Sequence, residues 1–451
     1  MFVRWLTGAR QPARAALLAA MAGAAALAPA AGASAAATPP GGGPLAATLA
    51  GWTAGHPATG AVVLRLDEDG AKPILSYKAR TPRRPASTMK IITAASTLMA
   101  LGPDFRFETR LYAGDNARVR RGTLVGPLYL KGYGDPVLST PRYAKRFFAG
   151  YGGGIGKLVR PMKALGVRRV RGPIVVDESF FDSVRTGPQW LPSYRFECPP
   201  LSALPVNQDF AGEVRGRYVK NPATAPGGRL RDAMTALGIR FSGPIRAGHA
   251  PARGRLLATV ESPPLHVITR LMLPESDNFI AETLLKNLGA YTRDAGTSAA
   301  GTASARDLLD QHGMLETGDR LVDGSGLSRA NRVTPDTMAS VLAAAATDPT
   351  WGRSLVRSLA RGGEGTLVHR LRDPDVRTRV RAKTGFINST AALAGVVTSP
   401  SGVRYAFAFL MNDGDIGGAH QTQDRLVTLL ARGAGDRMEP LTQAPAAAVR
   451  P

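Results

Sequence analysis

Pro85-Ala86-Ser87-Thr88-Met89-Lys90-Ile91-Ile92-Thr93-Ala94-Ala95-Ser96-Thr97-Leu98-Met99-Ala100-Leu101 is the stretch on which the reading turns. Proline suits the first turn of a helix, because the N–H it lacks would go unpaired there anyway. The run therefore predicts a helix over 85–101. Met89, Ile91, Ile92, Ala94, Ala95, Leu98 and Met99 cover most of its circumference, and Lys90 is its only charged residue. A helix apolar on most sides is a buried one, which places an ammonium group where water is scarce. Ser87 and Lys90 stand three residues apart and share a face. A serine hydroxyl is a poor nucleophile without a base beside it. A buried lysine that sheds its proton near neutral pH is such a base. The helix start also presents N–H groups where an oxyanion would form.

Upstream, Ala/Gly/Pro-rich residues 36–46 read as a linker. Thr59 to Leu66 and Pro73 to Tyr77 read as strands around the turn Asp67-Glu68-Asp69-Gly70. Downstream, from about 102 to 264, short strand-like runs (Thr123 to Leu130, Arg171 to Val176) alternate with Gly/Pro turns, with one helix around Ile155 to Leu165. This texture predicts a strand-rich unit inserted into the first domain. Helical patterns return at Leu265 to Leu273, Asp277 to Leu288, Ser304 to His312 and Pro335 to Ala346. Strands are expected at Thr378 to Lys383, Ala391 to Thr398 and Arg404 to Met411, and a last helix at Thr422 to Leu430. No internal repeat stands out.

Two further motifs fall at element ends. Ser276-Asp277-Asn278 follows Pro274, expected to close one helix, and precedes the next. By itself it fits a simple N-cap, with Ser276 or Asp277 opening the helix. As chemistry it offers a hydroxyl to relay a proton and an amide to hold a substrate carbonyl. Lys383-Thr384-Gly385 ends a β-like run. There a Lys and a Thr can bind a carboxylate, and glycine lets a substrate backbone approach. Each motif alone is common. Together, S-x-x-K, S-x-N and K-T-G follow the chain order of penicillin-recognising serine enzymes.

Bulk properties set the compartment. The first 35 residues carry Arg4, Arg10 and Arg14, an Ala/Leu-rich run from Ala15 to Ala31, and Ala33-Ser34-Ala35, which fits a signal-peptide cleavage site. An exported protein with no transmembrane segment in its mature form is expected. Cys198 is the sole cysteine, so no intramolecular disulfide can form. It sits in Glu197-Cys198-Pro199-Pro200, with no catalytic pattern around it. The formal net charge is +23, and +20 once the three signal arginines are removed. Such a balance favours polyanions. In an exported protein these are anionic cell-wall polymers rather than nucleic acid.

Other chemistries lack their residues. Gly152-Gly153-Gly154-Ile155-Gly156-Lys157 lacks the Ser/Thr of a phosphate loop, with Leu158 in its place. The six histidines are scattered without an H-E-x-x-H, so no metal site is expected. No Gly-x-Ser-x-Gly elbow is present.

The chain resembles a class C low-molecular-mass penicillin-binding protein of the D-alanyl-D-alanine carboxypeptidase/endopeptidase family. The residues that carry the resemblance are Pro85 to Lys90 with Leu101-Gly102-Pro103, Gly132-Tyr133-Gly134-Asp135-Pro136, Ser276 to Glu282, and Asp323-Gly324-Ser325-Gly326-Leu327-Ser328-Arg329. The resemblance as a whole covers about 45 to 430, nearly the whole mature chain. The resemblance implies an α/β (α+β) transpeptidase-like fold, with an antiparallel sheet flanked by helices, a helical lobe and inserted mostly-β subdomains. The domains expected are a signal peptide at 1–35, a discontinuous catalytic domain at 36–101 and 265–435, an inserted region at 102–264 and a loose tail at 436–451.

It further implies that Ser87 forms an acyl-enzyme, Lys90 takes its proton and Ser276 shuttles a proton to the leaving D-alanine. Asn278 would hold the substrate amide, Lys383, Thr384 and Gly385 the terminal carboxylate end, and the backbone N–H groups of Ser87 and Phe386 the oxyanion. Peptidoglycan stem peptides are the implied substrates and β-lactam antibiotics the implied acylating agents; no cofactor is implied. Where the family often has Ser or Thr after K-T-G, this chain has Phe386. That removes a hydroxyl contact to the carboxylate and bears on the balance of carboxypeptidase over endopeptidase action.

Overall fold

The computed structural model describes residues 43–152, 154–412 and 414–441. The expected signal segment and the end of the expected tail lie outside the described residues.

Alternation builds the central sheet. Thr59–Asp67 and Gly70–Tyr77 close a hairpin at Asp67↔Gly70. Thr59–Asp67 also pairs with Arg404–Asn412, which pairs with Thr390–Thr398, which pairs with Val380–Ile387, all antiparallel. Ala360–Arg361 adds a short sixth strand at the far edge. Side chains on a strand point to opposite faces by turns. In Arg404–Asn412 the aromatics Tyr405, Phe407 and Phe409 face one core, while Ala406 and Ala408 face another.

The aromatic side packs against helices Gly43–Thr53 and Ile416–Ala431. The alanine side meets the helical lobe, which includes Met89–Leu101, Leu265–Glu275, Asn278–Arg293, Ser298–Gln311, Pro335–Thr347 and Trp351–Ser358. Met89–Leu101 is buried from Met89 through Leu98, as its all-round apolar pattern demands.

Two expectations need correction near the ends. The reading of 36–46 as a linker fails from Gly43 onward, because Leu45, Leu49 and Trp52 recur at helical spacing and are buried. The tail expected to be loose from Asp436 onward is anchored at Asp436, whose carboxylate accepts the Tyr405 hydroxyl at 2.5 Å and the Ser401 hydroxyl at 2.6 Å.

Two more sheets are built from residues between Glu108 and Glu261. Thr123 to Leu130 is not one strand but two, Thr123–Val125 and Leu128–Gly132, and they belong to different sheets. The same break separates Arg169–Arg171 from Ile174–Asp177 and Arg240–Ser242 from Ile245–Ala247. At each break stands a Gly-Pro pair: Gly126-Pro127, Gly172-Pro173 and Gly243-Pro244. The glycines take φ of +127°, +140° and +157°, which other residues rarely adopt, and proline cannot continue a ladder. The corners stack, with Gly126 N–H donating to Arg171 O at 2.9 Å and Gly172 N–H to Ser242 O at 3.2 Å. This is an internal repeat of strand, corner, strand, contrary to the expectation of none. Its strands pair in parallel on both sides of the corner.

Within this region the expected helix at Ile155 to Leu165 is a 3-10 turn at Ile155–Leu158 followed by Arg160–Ala164. Helix Ala225–Ala236 lacked a clear apolar signal in the sequence and is held by buried Leu230 and Met234.

Candidate active site

The first motif straddles a 3-10 turn and a helix. Ala86–Thr88 forms the turn, and Met89–Leu101 continues as α-helix. Ala86 is buried at φ +46°, a left-handed conformation that costs a residue with a Cβ, immediately before Ser87. Lys90 is fully buried. Its ammonium donates to Ser87 Oγ at 3.1 Å, to Asn278 Oδ1 at 2.7 Å and to the Ser325 carbonyl at 2.7 Å. Residues from positions 87, 90, 278 and 325 thus meet at one nitrogen. Burial lowers the pKa of Lys90 to about 8, with the carboxylates of Asp323, Glu282 and Asp277 pulling the other way.

The second motif sits between two helices. Leu265–Glu275 runs one residue past Pro274, so the proline occupies its last turn instead of ending it. Ser276 caps it at φ +56°. Asp277, not Ser276, is the N-cap of Asn278–Arg293, accepting from Ile280 N–H at 3.0 Å. Asp277 is gripped from the other side by Gln208 Nε2 at 2.9 Å and Arg215 at 2.8 Å. Asn278 Nδ2 donates to the Glu197 carbonyl at 2.8 Å, which turns its oxygen toward Lys90. The Ser276 hydroxyl makes no hydrogen bond to any described residue and stands outside this network.

The third motif lies on Val380–Ile387. Lys383 is fully buried and donates to the Thr384 carbonyl at 2.8 Å. Burial, and then the charge of Lys90, hold its pKa well below the ordinary lysine value. Thr384 donates to the Thr366 hydroxyl at 2.7 Å. A Cβ on Gly385 would stand 2.7 Å from the Pro85 carbonyl and 3.1 Å from Thr88 N, so this strand and the Ser87 turn touch backbone to backbone. Phe386 lies on the Thr384 face of the strand, with 61% of its surface exposed. The edge strand partner of Val380–Ile387 ends at Ala382. Beyond it the cleft edge of the strand carries no β-partner among the described residues, and an extended peptide could pair there.

Several groups escaped the sequence reading. Glu282, fully buried one helical turn after Asn278, accepts Gly324 N–H at 3.1 Å and Ser325 N–H at 2.7 Å through Oε1. It thereby fixes the peptide whose next carbonyl receives Lys90. Burial and the neighbouring Asp323 push its carboxyl up to about 8. Asp323 gathers Gly326 N–H, Ser328 N–H, Asn331 Nδ2 and Trp190 Nε1. Both acids belong to runs whose spacing was visible, but nothing local told that they would converge on Lys90.

The rim comes from the 102–264 region: Trp190 on Asp323, Glu197 on Asn278, and the Tyr194 hydroxyl accepting from Asn388 at 3.1 Å. Cys198 is buried among Ala86, Leu201, Phe279, Leu327 and Ile387, and burial pushes its thiol well up, away from nucleophilic use.

The arrangement has counterparts. The D-Ala-D-Ala carboxypeptidase 3 (S13) family model matches residues 45–213 and 203–433. The D-alanyl-D-alanine carboxypeptidase of Actinomadura sp. (strain R39) is 30% identical over 433 residues, covering 78% of this chain and 77% of its own. Carboxypeptidase DacB of Mycolicibacterium smegmatis is 31% identical over 382 residues, covering 82% and 79%. Among solved structures, penicillin binding protein 4 of Haemophilus influenzae aligns with a TM-score of 0.71 and 25% identity, over 85% of this chain and 99% of its own. The chain belongs to the D-Ala-D-Ala carboxypeptidase 3 (S13) family.

Proposed function

We propose that this chain removes the terminal D-alanine from peptidoglycan stem peptides, outside the cytoplasm, through an acyl-enzyme on Ser87. One observation carries the reading. Two of the three groups that Lys90 meets, Asn278 Oδ1 and the Ser325 carbonyl, can only accept. When Lys90 loses one proton, its two remaining N–H groups stay with them, and its lone pair is left facing Ser87 Oγ. The hydrogen bond then reverses, and the serine becomes the donor. That is the arrangement of a nucleophile with its base.

Ser87 Oγ attacks the carbonyl carbon of the terminal peptide bond, and its proton passes to Lys90. The backbone N–H groups of Ser87 and Phe386 receive the oxyanion, a reading supported by the close approach of Gly385 to the Ser87 turn. The C–N bond breaks, and the proton taken up by Lys90 passes to the leaving D-alanine nitrogen through the Ser276 hydroxyl, which has no hydrogen-bond partner among the described residues and joins the network only when substrate is bound. Water, deprotonated by Lys90, then attacks the ester and restores Ser87. Lys383 and Thr384 receive the terminal carboxylate. The two N–H groups of Lys383 not used on Thr384 O are available to it, and a bound anion reverses the unfavourable proximity of Lys90. A β-lactam ring imitating the terminal dipeptide would acylate Ser87 by the same steps.

Phe386 supports a second activity beside the first. With no hydroxyl beside Thr384, recognition of a free terminal carboxylate weakens, and crosslinked peptides become better competitors.

The test is release of D-alanine from a diacylated tripeptide ending in D-Ala-D-Ala. Wild type should release it and Ser87→Ala should not; release by both would end the assignment.

A further inference from the structure

Beyond the cleft lies a groove of about 1130 Å³ walled by Leu265–Glu275, Trp351–Ser358 and the strand pair Ala360–Arg361 and Val380–Ile387. Arg270, Arg353, Arg357, Arg361 and Arg381 all line it. None of the five forms an ion pair with any described residue, and only Arg381 spends its guanidinium on protein groups, the carbonyls of Arg357 and Leu359. Burial, and then the charges of Arg361, Arg357 and Arg270, hold Arg381 below the usual arginine range. Two carboxylates share the groove. Glu364 is exposed, and Asp104 lies 3.5 Å from His266. The groove therefore keeps a surplus of several positive charges.

We infer that this groove binds a phosphodiester polyanion of the cell envelope. Like charges gathered without partners are unfavourable unless an anion joins them. One carboxylate or one phosphate would answer one or two of the five. A chain with a phosphate at every repeat answers them in succession, and the guanidinium fork matches phosphate oxygens two at a time. The groove also abuts the cleft. Arg381 stands two residues before Lys383 on the same face of its strand. Glu364 lines the groove, while Thr366 takes the Thr384 hydroxyl. Pro274 lines it two residues before Ser276, and Gly365 packs against the Pro274 carbonyl. A polymer held there keeps the enzyme at the wall with its cleft beside the stem peptides. The envelope source of the polymer rests on the function proposed above; the demand for a polyanion does not.

The test is calorimetric titration of the full mature chain with a glycerol-phosphodiester oligomer, and with poly-γ-glutamate of equal charge. R270Q/R353Q/R357Q is compared with R118Q/R120Q/R121Q, an equal loss of charge on a remote surface hairpin, exposed Arg118–Arg120 paired with Thr123–Val125 in a different sheet. The oligomer should bind wild type with an affinity that falls as salt rises. The groove variant should lose roughly 100-fold, and the remote variant should bind like wild type. D-Alanine release by the groove variant should match wild type. No binding, equal loss in both variants, or poly-γ-glutamate binding as tightly would each overturn the proposal. If the triple variant fails to fold, R357Q alone must still weaken binding where R120Q does not. Loss of D-alanine release in wild type would count against the catalytic reading and leave this one standing.

Discussion

Lys90 Nζ lies 2.7 Å from Asn278 Oδ1, across 188 residues of chain, and the Glu197 carbonyl fixes the amide that offers that oxygen. Burial puts the lysine near pH 8, so the fraction able to accept the Ser87 proton rises as pH rises. Acylation of the free enzyme should climb about tenfold per unit below that pH and level off above it. Stopped-flow acylation across pH 6 to about 10 checks this; a flat profile would remove Lys90 as the base.

Lys90→Arg keeps the charge and the reach toward Asn278 but cannot release a proton in this range. Acylation should fall by about 10²–10⁴, far more than the loss of folded protein that the larger guanidinium causes in this fully buried site. Near-wild-type acylation by this variant would be decisive against the mechanism.

Glu282→Gln can still accept Gly324 N–H and Ser325 N–H but removes a carboxyl that titrates in the same range as Lys90 and, once ionised above about pH 8, raises the Lys90 pKa. The midpoint of the acylation profile should therefore move to lower pH. Glu282→Ala strands two buried N–H groups and should cost about 1–3 kcal/mol for each, measured by denaturant unfolding. An unshifted midpoint in the Gln variant would separate Glu282 from Lys90.

Gly385→Ala would press a methyl group against the Pro85 carbonyl. The strand must then withdraw from the Ser87 turn and open the oxyanion site. Loss of one such donor costs about 10²–10³ in rate, and the forced backbone shift should also lower stability by about 1–3 kcal/mol, read by denaturant unfolding. Full activity would place the oxyanion elsewhere.

Phe386→Thr restores a hydroxyl beside Thr384. KM for the D-Ala-D-Ala tripeptide should drop about fivefold for one added hydrogen bond, with kcat nearly constant. An unchanged KM would mean that Phe386 has no part in carboxylate recognition.

The sequence disclosed those parts of the molecule whose signals are local. The Ser87 helix carried its burial in its composition, and the strands Thr390–Thr398 and Arg404–Asn412 were placed to within a residue. The order of the three motifs implied a common cleft, and the contacts of Ser87, Lys90 and Asn278 now give its geometry. Non-local relations were hidden. Gly126-Pro127, Gly172-Pro173 and Gly243-Pro244 looked like ordinary turns, because their role depends on stacking against one another across more than a hundred residues. Helix Gly43–Thr53 was masked by an Ala/Gly/Pro-rich context and exists because Leu45, Leu49 and Trp52 find the sheet. Glu282 was quoted as part of a run, yet its function follows from where the Asp323–Arg329 loop folds.

The most direct test is intact-mass measurement after incubation with penicillin, on wild type and Ser87→Ala. Wild type should gain the mass of one penicillin and Ser87→Ala none. An adduct on both proteins, or on neither, would contradict Ser87 as the nucleophile.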